Sequence, residues 1–126
     1  MVHTPTIKQS NLESIVEKYD YFIFDCDGVL FHSHDEIGHA FKALRFLKQK
    51  NKQIYFFTNA TTRTREELLH NKIIGEHKFN EIPLENLYTA SYLTSLYVKN
   101  EVFPRARRQR PTVFKEAEPK VFVIGE

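Results

Sequence analysis

The sequence predicts an α/β layer fold built around a parallel sheet, and three observations carry that expectation. Short, dense apolar runs alternate along the chain with stretches of helical periodicity. The first two runs stop at turn-forming pairs, Asp27-Gly28 and Thr58-Asn59, as strands leading into crossover connections do. The chain has 126 residues, 41 % hydrophobic and 27 % charged, which is one domain's worth of globular sequence. Surface scaling allows about two thirds of the unfolded chain's surface to be buried, enough for a true core.

Ser10-Asn11-Leu12-Glu13 matches a capping box, and Leu12, Ile15 and Val16 follow as one apolar stripe, predicting a helix over 11–18. Residues 21–24 (YFIF) are too short for a helix and rich in aromatic and β-branched side chains, so they read as a buried strand. Ile37, Phe41, Leu44 and Leu47 recur at helical spacing, with Lys42, Arg45, Lys48 and Lys50 facing elsewhere, predicting a helix over 37–50. Residues 54–57 (IYFF) read as a second buried strand. Thr64 is the expected N-cap of the next helix, with Glu66 and Glu67 in its first turn and Leu68, Leu69 and Ile73 on one face. A third unit starts at Pro83, with a strand over 86–89 and a helix capped by Ser91 that carries Leu93, Leu96 and Tyr97. Residues 100–119, with three prolines, four arginines and no apolar periodicity, read as a basic linker before a strand over 120–126.

Composition narrows the function classes. With 18 basic and 16 acidic side chains the net charge is +2, too small to require a nucleic-acid partner. No apolar run approaches the roughly 18–20 residues of a membrane span, and the first twenty residues carry no secretory h-region. The single cysteine, Cys26, excludes a disulfide framework and a multi-cysteine zinc site. A soluble, cytoplasmic protein with no membrane partner is the expectation.

The chemistry-bearing residues fall at the strand ends. In Asp25-Cys26-Asp27-Gly28 the two carboxylates share a face and Cys26 points the other way, toward packing. Carboxyl ends of strands are where open α/β sheets bind ligands. Two carboxylates held together suit a hard cation such as Mg²⁺, shared with substrate oxygens. One could then attack phosphorus while the other handles the proton. Thr58-Asn59 offers a hydroxyl and backbone amides to a phosphate at the end of the next strand. Each motif alone also suits an ordinary turn. Together, one βα unit apart in a parallel sheet, they would face one crevice.

Residues 21–31 (YFIFDCDGVLF), 57–68 (FTNATTRTREEL) and 121–126 (VFVIGE) resemble the haloacid dehalogenase superfamily, in the subgroup of 4-nitrophenylphosphatase, phosphoglycolate phosphatase and pyridoxal phosphate phosphatase. The resemblance runs from about residue 10 to 126, apart from the arginine-rich stretch near 104–119. It implies a Rossmann-like core and a phosphoric monoester hydrolase acting on a small phosphorylated metabolite with Mg²⁺. Asp25 would be the nucleophile that forms an aspartyl-phosphate. Asp27 would be the general acid and then base, its carbonyl also reaching the metal. Thr58 would hold the phosphoryl oxygens with the Asn59 amide, and Gly28 would let the chain turn into a flexible loop. Ala60 stands where these phosphatases often have a second asparagine, which removes a side-chain amide but not a backbone N–H.

The resemblance also implies parts that residues 1–126 do not contain: a cap domain, a later lysine that neutralises nucleophile and phosphate, and a Gly-Asp…Asp motif that completes the metal site. No Gly-Asp pair occurs in the sequence. The expected organisation is therefore the amino-terminal half of a phosphatase core (1–99), the linker (100–119) and the first strand of a truncated cap (120–126). The chain by itself is expected to be inactive, and a non-catalytic, partner-binding fragment is the alternative. Relatives are expected to be homo-oligomers, and this chain to self-associate through the edge of its first strand, where a neighbour strand is missing.

Three other signals are weaker. His32, His34 and His39 lack ligand spacing and read as a solvated loop. Cys26 fails the C-x₅-R pattern of thiol phosphatases, because position 32 is histidine. Arg105, Arg107, Arg108 and Arg110 lack interleaved aromatics and read as a solvated patch rather than a nucleic-acid site.

Overall fold

A computed structural model describes residues 12–110. Its centre is a three-stranded parallel sheet in the order β1-β4-β5, formed by Tyr21–Phe24, Gln53–Thr58 and Leu87–Thr89. Phe22 pairs with Ile54 and Phe24 with Phe56, while Thr58 pairs with Thr89, so the strands end side by side. Between β1 and β4 lie a small antiparallel hairpin, β2 (Phe31–His32) with β3 (Asp35–Glu36), and helix α2 (Ala40–Gln49). Helix α1 (Leu12–Lys18) precedes the sheet. The expected parallel sheet with flanking helices is what the chain forms.

Parallel pairing needs a crossover, and α2 supplies the first one. Its Phe41, Leu44 and Leu47 are buried against one sheet face, as the sequence periodicity predicts. The helix starts three residues later than expected, because Gly38 sits at φ 58°, outside helical backbone. Glu36 covers the exposed helix start by accepting from the Phe41 N–H at 2.9 Å. After β4, Thr64 caps α3 (Arg65–Glu67) in a reciprocal capping box with Glu67, as expected, and the helix continues with wider π-type hydrogen bonding through Leu68–Glu76. Leu68, Leu69, Ile73 and Phe79 join α2 in a core that also holds Cys26, Leu30, Phe31, Ile54, Phe56 and Leu87.

Four expectations are corrected. β1 is not a buried strand: Tyr21 and Ile23 are 66 % and 63 % exposed, and β4 is buried only at alternate positions. On that second face Tyr92 reaches Tyr88 with ring centres 6.2 Å apart, but Tyr21, Ile23 and Phe57 stay exposed, so an aromatic run that would normally fill two layers fills little more than one. The loop after Gly28 is not flexible coil but the β2–β3 hairpin, anchored by the buried Leu30 and Phe31. Helix α4 (Ala90–Tyr97) is capped by Thr89, not Ser91, since the Thr89 hydroxyl accepts from the Tyr92 N–H at 3.2 Å. The linker reading fails up to residue 109: Val98–Val102 continues α4 in π-type geometry and α5 spans Phe103–Gln109. Pro104 is the second residue of α5, directly after the wider π-type turns of Val98–Val102, so its missing N–H falls where the hydrogen-bond pattern changes, and Glu101 pairs with Arg105 at 3.3 Å. The capping residues Ser10 and Asn11, the rest of the linker and the strand over 120–126 lie outside the described residues. No helix among the described residues is long and apolar enough to cross a membrane.

Candidate active site at the carboxyl ends of the strands

Asp25 follows the last residue of β1, and its Oδ1 accepts from the Cys26 N–H at 2.8 Å. The Cys26 carbonyl then accepts from the N–H groups of Val29, Leu30 and Phe31 at 3.3, 2.9 and 3.3 Å, folding the chain back sharply. Gly28 sits at φ 81° in this turn, a backbone that disfavours any side chain. Its N–H donates to the Phe31 carbonyl at 2.8 Å. The turn leaves Asp25 and Asp27 exposed while Cys26 is fully buried, the alternation expected of these three positions.

Thr58 ends β4 and is 5 % exposed. Its hydroxyl interacts with the Cys26 thiol, which brings the two strand ends into direct contact. The same oxygen accepts from the Ala60 N–H at 3.2 Å. That amide, expected to stay available to a phosphate, is thus turned toward Thr58. The structure places Asp25, Asp27 and Thr58 at one end of one sheet, but no hydrogen bond joins Asp25 to Thr58; Cys26 lies between them. Burial first, then the nearby Asp25 and Asp27 charges, push the Cys26 thiol up to about 12, with the Thr58 hydrogen bond opposing them. A thiol so held is no nucleophile, in agreement with the failed cysteine-phosphatase pattern.

The loop over 59–64 is tied down from its far side. Arg65 donates from Nε to the Leu87 carbonyl at 2.8 Å and from a terminal nitrogen to the Leu84 carbonyl. Its guanidinium carbon lies 3.8 Å from the Tyr92 ring centre. Residues of the phosphate-type loop are therefore referenced to β5 and α4 as well as to β4.

Several site residues carried no sequence signal. Asp27 lines a cavity of about 240 Å³ with Ser33, His34, Thr62, Arg63 and Lys72. Lys72 is buried although charged; its ammonium donates to Glu76 Oε2 at 2.6 Å and stands 5.3 Å above the Phe31 ring. His34 Nδ1 lies 3.0 Å from the same Glu76 oxygen. Those two partners, Lys72 foremost, hold the Glu76 carboxyl below its ordinary range. Lys72 falls four residues after Leu68 on the buried helix face, and that spacing was the one clue to its burial. His34 is exposed, as a solvated loop would have it, yet it is bonded. Among the described residues no group of three His, Cys, Asp or Glu side chains is gathered for a metal. Asp25 and Asp27 by themselves form a two-carboxylate, all-oxygen donor set. That chemistry fits Mg²⁺, which binds through one or two carboxylates plus water and substrate oxygens.

The sequence matches the family described as haloacid dehalogenase-like hydrolases over residues 22–126. It is 34 % identical over 115 residues to a 4-nitrophenylphosphatase of Schizosaccharomyces pombe, covering 90 % of this chain and 34 % of that protein. It is 26 % identical over 120 residues to phosphoglycolate phosphatase 2 of Arabidopsis thaliana, covering 94 % of this chain and 35 % of that protein. The chain thus spans about a third of the length of the curated relatives it matches. Among solved structures, a p-nitrophenyl phosphatase from Archaeoglobus fulgidus aligns at a TM-score of 0.50 with 27 % identity, over 72 % of this chain and 30 % of that one. A 4-nitrophenylphosphatase from Thermotoga maritima shares the fold at a TM-score of 0.55 and 24 % identity, over 69 % of this chain and 33 % of that one.

Proposed function

The chain belongs to the haloacid dehalogenase-like hydrolases, and from that premise we propose that it carries the nucleophile-bearing part of a cytoplasmic, Mg²⁺-dependent phosphomonoesterase acting on a small phosphorylated metabolite. The observation that carries this reading is the parallel register of β1 and β4, Phe24 beside Phe56, which brings Asp25-Cys26-Asp27 and Thr58 out at the same end of the sheet.

In this reading the Cys26 N–H fixes Asp25 Oδ1 and leaves Oδ2 to attack phosphorus. The new Asp25 O–P bond forms as the P–O bond to the alcohol breaks, and Asp27 gives its proton to the departing oxygen. Water then attacks the acyl-phosphate, losing its proton to Asp27 and releasing phosphate. Thr58 and the Asn59 amide orient the phosphoryl oxygens. Mg²⁺ held by Asp25 and Asp27 would supply charge neutralisation for the phosphoryl group. Phosphoryl transfer depends on positioning and charge, and one lost stabilising donor at such a site costs about 10²–10³ in rate. With no Gly-Asp pair in its sequence, the 126-residue chain is proposed to be a poor catalyst by itself.

The test is hydrolysis of p-nitrophenyl phosphate by the purified chain with Mg²⁺. The expected turnover lies at least about 10²-fold below the ~1–10 s⁻¹ of ordinary enzymes. Any residual rate should vanish in Asp25→Asn and survive in Cys26→Ala. A rate untouched by Asp25→Asn would overturn the assignment. A second reading, a partner-binding chain without catalysis, is favoured by the uncovered sheet face at Tyr21 and Ile23.

A further inference from the structure

His77 sits where three elements meet. It follows the helix that runs from Arg65 through Glu76, and its backbone N–H closes that helix by donating to the Lys72 carbonyl at 3.2 Å. Its ring lies 4.5 Å, centre to centre, from Phe41 of α2, at an interplanar angle of 14°. The same ring lies 5.1 Å from Phe31 of β2, at 12°. Both phenylalanines are 1 % exposed, so a polar ring is stacked into an apolar junction. The His77 Nε2 is buried and has no hydrogen-bond partner among the described residues. A buried polar atom left in that state calls for an explanation.

The hairpin that Phe31 anchors has little of its own to hold it. Its strands are two residues each, too short to stand alone. Ser33 opens its two-residue turn at φ 53°, where glycine is the favoured residue. At its tip His34 meets Glu76 at 3.0 Å, an exposed contact that solvent screens. The charges around the His77 ring come from its own helix and from the hairpin side. Lys72 and His34 disfavour the imidazolium, while Glu76 and Glu36 favour it. From α2 the contact is the apolar Phe41, and Arg45 is engaged with the Lys78 carbonyl at 2.9 Å and with Glu81 at 3.7 Å. Burial is the largest influence, and the His77 pKa is held below its ordinary value.

We propose that His77 is a proton-operated staple: neutral, it fastens the β2–β3 hairpin to α2 and to the helix after Thr64; protonated, it lets the hairpin go. The imidazolium has a charge and two N–H donors. Protonation therefore puts a cationic donor at Nε2, where no acceptor stands among the described residues. The closed form then binds the proton less well than the open one. Closure is fully favoured above the free histidine range, near pH 6.5, and is weakened as pH falls through it. Below the lowered value of the closed form the penalty is constant. Ser33 and His34 line the cavity beside Asp27, so release of the hairpin takes away one of its walls. The staple goes beyond the phosphatase reading and does not depend on it.

Amide hydrogen exchange of the ¹⁵N-labelled 126-residue chain, followed by NMR at about pH 7.5 and about pH 5.5, tests the staple. Protection factors divide out the intrinsic pH dependence of exchange. At the base of the hairpin the Leu30 N–H donates to the Cys26 carbonyl at 2.9 Å, and the Ile37 N–H to the Leu30 carbonyl at 3.0 Å. The reference is the Lys52 N–H, which donates to the Leu47 carbonyl at 2.9 Å, past the far end of α2. Leu30 and Ile37 should lose protection by up to about tenfold at the lower pH, while Lys52 keeps its own. Tenfold is about the most that a group with a free pKa near 6.5 gives one unit below it. His77→Phe retains a flat ring without a titrating nitrogen and should abolish the dependence, whereas His34→Gln should leave it in place. Persistence in His77→Phe, loss in His34→Gln, or an equal fall at Lys52 would each overturn the staple. Should His77→Phe fail to fold, the ring signals of His77 in the unaltered chain decide. A midpoint below about 6.5 that tracks the loss of protection supports the staple. A midpoint at or above that value would mean that the two ring faces hold the imidazolium, and would overturn it.

Discussion

The two faces of the sheet are made from the same kinds of residue and meet opposite fates. On one face Ile54, Phe56 and Leu87 are buried under α2 and the helix that follows Thr64. On the other, Tyr21 stacks on Tyr55 with ring centres 6.3 Å apart, and Phe57 meets Tyr88 at 4.8 Å, yet Tyr21, Ile23 and Phe57 stay exposed. Neighbouring positions along one strand thus differ in burial because of what lies above them, not because of their own chemistry. Hydrophobicity says that a side chain prefers cover; it does not say which segment provides it.

The sharpest way to break this comparison is to truncate adjacent residues of β4. Phe56→Ala removes a fully buried ring and should cost about 3–5 kcal/mol, read as a lower denaturant midpoint. Phe57→Ala removes a ring that is 40 % exposed and should cost well under half as much. Equal costs would mean that the open face is covered in solution.

The open face also adjoins the free edge of β1, since β4 is its one neighbour among the described residues. An apolar face beside unpaired strand N–H and C=O groups invites pairing with another chain. We expect size-exclusion chromatography to show concentration-dependent association of the 126-residue chain. Ile23→Lys should shift it toward monomer while changing stability by no more than about 0.5–1 kcal/mol. A wild-type chain that runs as a sharp monomer at all concentrations would contradict the expectation.

A smaller effect sharpens the contrast from the covered side, at the helix that closes it. Thr64→Ala removes the hydroxyl half of the capping box, the acceptor for the Glu67 N–H, while keeping the backbone N–H that donates to the Glu67 carboxylate, and should cost about 1 kcal/mol. The Thr64 backbone N–H, then its hydroxyl, hold the Glu67 carboxyl below its ordinary value. The folded form therefore favours the charged carboxylate. That contribution is complete above the unfolded carboxylate range, near pH 4–5, and fades as pH falls through the depressed folded value. Urea melts between pH 7 and pH 3 should show Thr64→Ala losing part of this acid dependence.

These contrasts explain what the sequence could disclose. The strands at 21–24, 54–57 and 86–89 and the cap at Thr64 were legible because each depends on a few adjacent residues. Asp25, Asp27 and Thr58 were legible as strand-end groups for the same reason. The β2–β3 hairpin was not, since Phe31-His32 and Asp35-Glu36 carry no alternation and are held by burial of Leu30 and Phe31 against distant residues. Residues 98–109 misled because Pro104 reads as a breaker until its place in a first turn is known. Lys72 and Arg63 were invisible as site residues: a lysine on a helix and an arginine in a loop ordinarily mean solvent. Only the packing of the helix after Thr64, the β2–β3 hairpin and the loop after β4 brings them to the wall of one cavity.

Cys26 turns the buried junction of the two strand ends into a built-in clock. The lone thiol is fully covered and its pKa lies near 12, so a thiol reagent at neutral pH can react only after the β1 end has swung open. No second thiol competes for the reagent, and no intramolecular disulfide complicates the trace. Labelling rates therefore count the openings of the crevice that holds Asp25, Asp27 and Thr58, with no substrate needed. A phosphate-sized anion seated there would slow the count by stabilising the closed form, in proportion to its occupancy.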